Sequence, residues 1–241
     1  MLAIFNKEMV QPPQELNSPS MDSSKKPKLP QHILQDFLSD HPNDAFSITY
    51  GSKALLAYTP PRMTCFKGQR MFCGLDGLNC IFIGSLINLS SLIKQYGLSK
   101  GANEAMFVIE AYRTLRDRGP YPADQVLKDL DGSFGFVGCN EEVSLYWGIA
   151  ADGSVVICDS LELIKSSCAK SFAPFPNGCM FHSEHGLMSF EHPKRKMKAM
   201  PRIDSEGVMC GANFKVDVQS MIHTMPRVGS EANWATWGFN A

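Results

Sequence analysis

The fold is decided by the stretch from Asn79 to Val137, which reads NCIFIGSLINLSSLIKQYGLSKGANEAMFVIEAYRTLRDRGPYPADQVLKDLDGSFGFV. It opens with a short apolar run, Cys80 to Ile83, that stops at Gly84, a pattern typical of a buried strand followed by a turn. Leucines and isoleucines then recur at helical spacing over residues 86–93. Gly97 stands where a glycine ends a helix by taking the left-handed conformation. We therefore predict a strand followed by a helix.

Two more helices and a strand complete this stretch. Apolar residues of the segment 103–118 fall on one face of a second helix, which Gly119-Pro120 ends because proline lacks an amide N–H. A third short helix closes at Leu127 to Leu130, and Ser133 to Val137 alternates like a strand. The order of strand, helices and strand predicts helices packed on a sheet.

Strand-like patterns also occur on both sides of the central stretch. Asp152-Gly153 is the strongest hairpin signal, because Asp-Gly readily forms the tight turn between two strands. A short helix is expected at Leu29 to Leu38. We expect the remaining strands at residues 2–5, 46–50, 54–58, 70–73, 144–150, 155–159, 179–183, 187–190 and 212–218.

The composition is that of a globular protein without a charge excess. With 241 residues and 44% apolar side chains, we expect residues 1–241 to form a single domain with a real core. The net charge of −1 gives no general attraction to nucleic acid, so we expect no nucleic-acid partner. No window approaches the roughly 20 apolar residues of a transmembrane helix, and the apolar start is too short for a signal peptide.

The cysteines and histidines favour thiols over metal sites. The eight cysteines include no CxxC pair, which favours reduced, buried thiols and a cytoplasmic location, with the nucleus as a second compartment. His182, His185 and His192 lie close in sequence, but no cysteine or acidic residue completes a ligand set. We expect neither a metal nor a cofactor. The basic cluster Lys194 to Lys198 is interpreted as a solvated loop.

Residues 11–30 read QPPQELNSPSMDSSKKPKLP. So many proline, serine and lysine residues cannot bury enough apolar surface to order the segment, and we predict a mobile loop. Ser18-Pro19 and the serines at 23 and 24 are either phosphorylation sites or parts of a plain solvated loop.

Two short signatures in the central stretch carry a family resemblance. Tyr96-Gly97-Leu98 and Leu115-Arg116-Asp117-Arg118 are similar to the signatures of the plant aluminium-induced proteins with YGL and LRDR motifs, a group that includes the stem-specific proteins. The likeness spans almost the whole chain and implies a stress- or nutrient-responsive plant protein. Tyr96, Arg116 and Arg118 are either structural, through packing and surface ion pairs, or bind a ligand.

These proteins resemble in turn the glutaminase domain of class II glutamine amidotransferases, as in asparagine synthetase. The resemblance implies an α+β fold of the N-terminal-nucleophile type, a four-layer αββα sandwich in which helices cover two antiparallel sheets. In that family an N-terminal cysteine attacks the glutamine amide, and its own α-amine serves as the base. The matching residue here is Leu2, and Met1 is expected to stay because methionine is normally removed only before a small residue. The nucleophile is therefore absent.

The rest of the implied glutamine pocket is altered as well. Where the family has Asn-Gly-Glu for the oxyanion, this chain has Ile83, Gly84 and Ser85, and losing one such donor costs about 3 kcal/mol of transition-state stabilisation. The arginine that grips the substrate carboxylate falls near Pro60, with Arg62 close by. The acidic residue for the substrate amine matches Glu104 or Asn103. The vestigial pocket thus comprises Met1, Leu2, Pro60, Arg62, Ile83, Gly84, Ser85, Asn103 and Glu104.

These features favour a pseudoenzyme over an enzyme. We interpret the chain as a non-catalytic amidotransferase-like protein that acts as a homodimer or by binding a protein partner or an amino-acid-like ligand. One alternative is a weak amidohydrolase or amidotransferase that uses an internal cysteine, Cys65 or Cys73. A second alternative is an amino-acid sensor that uses the former glutamine pocket. A cleft beside Met1 that is filled by side chains favours a scaffold, and an open polar cleft favours a sensor.

Overall fold

The computed structural model describes residues 1–18, 26–60, 69–117, 123–136, 145–182, 185–205 and 207–220. Within them the chain has a mixed α/β structure with a large antiparallel sheet and few helices. The strands are β1 (Leu2–Phe5), β2 (Phe46–Tyr50), β3 (Ala54–Tyr58), β4 (Gln69–Leu75), β5 (Leu78–Leu86), β6 (Gly132–Phe136), β7 (Tyr146–Ile149), β8 (Val155–Cys158), β9 (Phe172–Pro174), β10 (Cys179–His182), β11 (Gly186–Ser189), β12 (Met197–Ile203) and β13 (Met209–Val216). The helices are α1 (Pro30–Asp40), α2 (Leu89–Gln95), α3 (Glu104–Asp117), α4 (Ala123–Asp129) and α5 (Leu161–Cys168), with a short 3-10 helix at Gln14–Leu16.

The largest sheet has six strands in the order β2-β3-β1-β8-β7-β9. Every neighbouring pair in it is antiparallel. β1 lies in the interior of the sheet, with Leu2 opposite Ala57 of β3 on one side and opposite Cys158 of β8 on the other. The residue before β1 consequently lies between the ends of β3 and β8.

A second sheet has the order β4-β5-β6, and β10–β11 and β12–β13 form two separate hairpins. In the second sheet Arg70 of β4 lies opposite Ile83 of β5, and Ile83 also lies opposite Gly135 of β6. β5 is therefore the middle strand, and its Ile83 is flanked by strands on both sides.

Three groups of buried side chains hold these elements together. The central cluster joins the two sheets, with Ala3 and Trp147 from the first and Ile83 from the second. The α1–α5 cluster packs Leu2 of β1 against Phe37 of α1 and residues of α5. The third group, the α3 cluster, packs β4, β5 and β6 against α2, α3 and α4. Because side chains alternate along a strand, neighbouring residues of β1 and β5 enter different clusters.

Most predicted elements are confirmed, but three numbered elements and the 3-10 helix at Gln14–Leu16 were missed. The turn predicted at Gly84 is wrong, because β5 continues through Gly84 to Leu86 by pairing with β6. β1, β2 and β3 have the predicted ends, and Gly97 after α2 has a φ of 66°. α5, β9 and β12 were not predicted. The loop prediction for Lys194 to Lys198 is wrong for its last two residues, because Met197 and Lys198 begin β12 by pairing with β13.

Both ends of the predicted mobile loop pack on the rest of the molecule. Leu16 has no exposed surface, and the Ser18 Oγ accepts a hydrogen bond of 2.6 Å from the backbone N–H of Gly211. At the other end, the Lys28 backbone N–H donates to the Ser167 carbonyl at 2.8 Å. Residues 19–25 lie outside the described residues, so mobility in this segment stays a prediction.

The described helices are all too short or too polar to cross a lipid bilayer.

Candidate functional site

The residue that begins the chain is enclosed by its neighbours. Met1 is 1% exposed, and its side chain belongs to the central cluster. Its ammonium nitrogen lies 2.6 Å from Oδ1 of Asp159, the residue that follows β8. The backbone N–H of Asp159 donates to the Met1 carbonyl at 3.4 Å, so the strand register continues up to this pair. The ion pair thus lies at the end of the interior strand of the six-stranded sheet.

Arg70 of β4 reaches this ion pair from the second sheet. Its Nη2 lies 2.6 Å from Asp159 Oδ2, and its Nη1 donates to the Thr59 hydroxyl at 3.2 Å. Among the described residues Oδ2 accepts no well-aligned hydrogen bond, so its contact with Arg70 is mainly electrostatic. The Tyr58 hydroxyl donates to the Arg70 carbonyl. We call these five residues, Met1, Tyr58, Thr59, Arg70 and Asp159, the Asp159 cluster.

A buried thiol adjoins the Asp159 cluster. Cys158 has no exposed surface and belongs to the α1–α5 cluster. The pKa of its thiol is raised to about 11, mainly by burial and also by the neighbouring Asp159 carboxylate. The Met1 ammonium, the Ser160 backbone N–H and Arg70 act in the opposite direction and lower this pKa. A thiol with this pKa is protonated at neutral pH and cannot serve as a nucleophile, since the thiolate is the reactive form.

Only some residues of the vestigial pocket lie together. Met1 and Ile83 share the central cluster, and Ile83 lies opposite Arg70. Gly84 follows Ile83 on β5 and is buried, whereas Ser85 is exposed. The side chain of Leu2 packs in the α1–α5 cluster, on the other face of the six-stranded sheet from Met1. The structure therefore brings Met1 close to Ile83 but turns the side chain at position 2 away from it.

The remaining pocket residues lie elsewhere or outside the described residues. Asn103 caps α3, its Oδ1 accepting a hydrogen bond of 2.8 Å from the Met106 backbone N–H, and Glu104 is the first residue of that helix. α3 covers the face of the second sheet opposite the central cluster. Pro60 is exposed beside Thr59, and Arg62 lies outside the described residues.

Of the two internal cysteines proposed as nucleophiles, Cys73 does not reach the Asp159 cluster. Cys73 lies on β4 and packs at the edge of the α3 cluster, on the face opposite Arg70. Burial raises the pKa of its thiol, and the Glu110 carboxylate adds to this effect. Cys65 lies outside the described residues. The six described cysteines are all free thiols.

The predicted histidine group forms a pair. The Nδ1 atoms of His182 and His185 are 3.1 Å apart, and their ring centroids are separated by 4.8 Å. Among the described residues, no three His, Cys, Asp or Glu side chains gather closely enough to hold a metal ion.

The segment Tyr96-Gly97-Leu98 closes α2. The Tyr96 hydroxyl donates to Asp129 of α4 at 3.1 Å, and its ring meets Phe107 of α3 edge-on with centroids 5.5 Å apart. These contacts fix three helices against each other, which favours the structural interpretation of Tyr96. The side chain of Arg116 and all of Arg118 lie outside what the structure describes.

The sequence interpretation missed the two charged residues at the centre of this site. Arg70 begins a predicted strand, and Asp159 ends another. A charged residue at the end of an otherwise apolar strand is a usable signal of a buried ion pair. Burying a charge is costly unless an opposite charge accompanies it. The sequence does not show that these two strand ends meet.

Comparison with known proteins supplies the family. Residues 2–216 match the family described as Aluminium induced protein. The chain is also 38% identical over 138 residues to the stem-specific protein TSJT1 of Nicotiana tabacum, a match that covers 57% of this chain and 91% of that protein. Both comparisons therefore agree with the resemblance to the plant aluminium-induced and stem-specific proteins. This chain belongs to the Aluminium induced protein family.

Proposed function

We propose that this chain is a non-catalytic, amidotransferase-like protein that acts by binding rather than by chemistry, in the cytoplasm and nucleus of a plant cell. One observation carries the proposal: the Met1 ammonium is buried and held 2.6 Å from the Asp159 carboxylate. In the amidotransferase design the α-amine must accept a proton from the nucleophile beside it. In this chain the N-terminal nitrogen is held against Asp159, and the side chain beside it, Leu2, offers no nucleophile.

The packing supports the finer fold proposal, a four-layer αββα sandwich of the N-terminal-nucleophile type. Helices α1 and α5 pack on one face of the six-stranded sheet. Side chains of both sheets meet in the central cluster, and α2, α3 and α4 pack on the outer face of the second sheet. Such an order of layers fits two sheets that pack face to face with helices outside.

The surroundings of Met1 favour a scaffold over a sensor. The Met1 side chain is enclosed by the central cluster, and Arg70 and Thr59 lie against Asp159. Side chains of the protein itself therefore surround Met1 among the described residues. A sensor would require these charged groups to separate and face a ligand.

The enzyme alternative is weaker because the described cysteines are poor nucleophiles. Burial raises the pKa of both Cys73 and Cys158, and neither thiol faces the central cluster. Ile83 also lacks the side-chain donor that an oxyanion needs, which costs about 3 kcal/mol where such a donor has been removed.

Ammonia release from glutamine tests this proposal. We expect the native protein to release no more ammonia than a heat-denatured sample. The Leu2→Cys variant should also be inactive, because the side chain at position 2 points into the α1–α5 cluster and Ile83 still offers no donor. The matched second variant combines Leu2→Cys with Ile83→Asn, so it supplies both the thiol nucleophile and a side-chain donor for the oxyanion.

Two results would contradict the proposal. Ammonia release by the native protein that disappears in Cys65→Ser or Cys73→Ser would establish the enzyme alternative. Activity in Leu2→Cys alone would show that the N-terminus can turn into a preformed pocket.

A further inference from the structure

The two edges of the six-stranded sheet differ sharply. At the β9 edge, Arg202 donates to the Phe172 carbonyl at 2.8 Å and its guanidinium lies 4.4 Å from the centre of the Phe172 ring. Gly211 of β13 also approaches β9 so closely that an added Cβ would overlap the Phe172 carbonyl oxygen. Pro174 has no N–H to offer. This edge is closed by the protein itself.

The β2 edge has no such cover among the described residues. Its strand pairs with β3 on one side, and no other described element pairs with residues 46–50. Ser47 and Thr49 are exposed, and Phe46 is 40% exposed. Within the described part of the chain, the outer side of β2 therefore has no strand partner.

The sequence of β2 lacks the features that usually protect an outer strand. Native proteins use charged side chains, prolines or bulges to prevent such edges from pairing with another strand. β2 reads FSITY, with no charge and no proline, and its register with β3 is regular from Phe46 to Tyr50. An unprotected edge of this kind is suited to accept a further strand.

We propose that the partner at this edge is β2 of a second copy of the chain, paired antiparallel about a twofold axis at Ile48. In that register Phe46 lies opposite Tyr50, Ser47 opposite Thr49, and Ile48 opposite itself. Aromatic pairs, hydroxyl pairs and pairs of β-branched residues are all favourable across strands. Phe46, Ile48 and Tyr50 share one face of β2, so the apolar row continues unbroken into the second copy.

Charge supports the antiparallel direction. Asp44 precedes β2 and Lys53 follows it, and both residues are exposed. Antiparallel pairing brings the acidic end of one strand to the basic end of the other, whereas parallel pairing would bring like ends together. Phe46 is already held in place by edge-on contacts with Tyr58 and Phe72, at centroid distances of 5.3 and 5.4 Å. The strand is therefore preorganised for pairing.

The β2 dimer gives the proposed binding role a surface and a partner. Its biological use rests on the proposed function, whereas the pairing of the strands does not. Pairing of two five-residue strands buries little surface. A contact of this size is at the weak end of protein interfaces, so dimer formation should depend on protein concentration.

The test measures the mass of the full chain over a range of concentrations by sedimentation equilibrium. The native mass should rise from 26.7 kDa towards twice that value. In Ser47→Lys/Thr49→Lys, lysines face lysines across the axis, and the protein should stay monomeric. The matched control is Ser47→Lys/Thr49→Glu, in which each lysine faces a glutamate and the dimer should persist. All four substitutions are at exposed positions, and equal melting temperatures confirm that the fold is intact.

A native chain that stays monomeric at every concentration would overturn the proposal. So would two variants that behave alike, since the proposed register opposes like charges in the first variant and unlike charges in the second. A mixture of Ser47→Lys/Thr49→Lys with Ser47→Glu/Thr49→Glu should form a mixed dimer, and its failure to do so would also count against this register. If the protein dimerises as expected but also releases ammonia from glutamine, the proposed non-catalytic function is wrong and the β2 dimer is still supported.

Discussion

Asp159 is one carboxylate that faces two cations, the Met1 ammonium on one side and the Arg70 guanidinium on the other. Its side chain is only 12% exposed, so water screens these contacts weakly. Without the carboxylate, two positive charges would remain close together at the junction of the two sheets.

We expect Asp159→Asn to lower the free energy of unfolding by about 3 kcal/mol, because breaking a largely buried pair leaves its charged partners uncompensated. Denaturant unfolding measures the effect. The matched control is Asp36→Asn, which removes the equally short Lys28–Asp36 pair at a site where Asp36 is 38% exposed. That change should cost less than about 1 kcal/mol. Equal costs for the two variants would show that the Asp159 cluster is solvated.

A second residue-scale expectation concerns alkaline pH. The folded protein raises the pKa of Cys158 from 9.0 to about 11, so between these values the unfolded chain has lost a proton that the folded chain keeps. The contribution of this thiol to stability is therefore complete below pH 9 and falls by about 1.4 kcal/mol per pH unit above it. The pH dependence of the unfolding free energy between pH 8 and 11 measures this.

Cys158→Ser removes this titration and should make the stability curve less steep above pH 9, whatever it does to stability at pH 7. Other buried thiols such as Cys80, whose pKa burial raises to about 12, still contribute to the remaining slope. An unchanged slope in Cys158→Ser would mean that this thiol is not protected in the folded protein.

At the scale of elements, the segment before α1 joins distant parts of the chain. Leu16 of the short 3-10 helix is fully buried in the central cluster, and Ser18 binds both β13 and the residue before β9. The polar composition of residues 11–30 gave no sign of this packing, because a single leucine, Leu16, and a single serine, Ser18, make the contacts.

We expect Leu16→Ala to cost about 3 kcal/mol of unfolding free energy, since large-to-small changes at fully buried sites lose both transfer energy and packing. Leu29→Ala is the matched control at the other end of the segment, where the side chain is 48% exposed and the change should be nearly neutral. Thermal unfolding compares the two variants. Similar melting temperatures for Leu16→Ala and Leu29→Ala would support the prediction that the whole segment 11–30 is a mobile loop.

The elements with strong local signals were predictable, and those without were not. β2 and β3 surround a turn at Gly51 and were placed correctly. α5 has only eight residues and was missed, although Ser160 before it accepts a hydrogen bond from the Leu163 backbone N–H at 3.3 Å, as a helix cap does. β12 was not predicted because its exposed Lys198 was interpreted as part of a solvated loop.

At the scale of the whole molecule, the pairing of distant strands is the part that local patterns do not encode. β1 lies between β3 and β8, which come from separate regions of the chain. Only this arrangement places Asp159 beside Met1 and turns Leu2 away from Ile83. The sequence could therefore suggest candidate pocket residues, but it could not show that Arg70 and Asp159 lie beside Met1.

The closed β9 edge has a consequence for how far assembly can proceed. Two copies joined through β2 leave no open edge among the described strands of the six-stranded sheet, so growth through this sheet stops at a pair. If β9 were uncovered as well, β2 of one molecule could add to β9 of the next, and the chain could polymerise into filaments.

We expect Arg202→Ala, which removes the donor to the Phe172 carbonyl and the cation over its ring, to scatter light increasingly on storage at high concentration. Adding Ser47→Lys/Thr49→Lys should suppress the scattering, because a filament needs both edges. Arg202→Ala solutions that remain clear dimers would show that β13 alone is a sufficient barrier. Arg202 would then help to keep the protein a finite particle rather than a fibre.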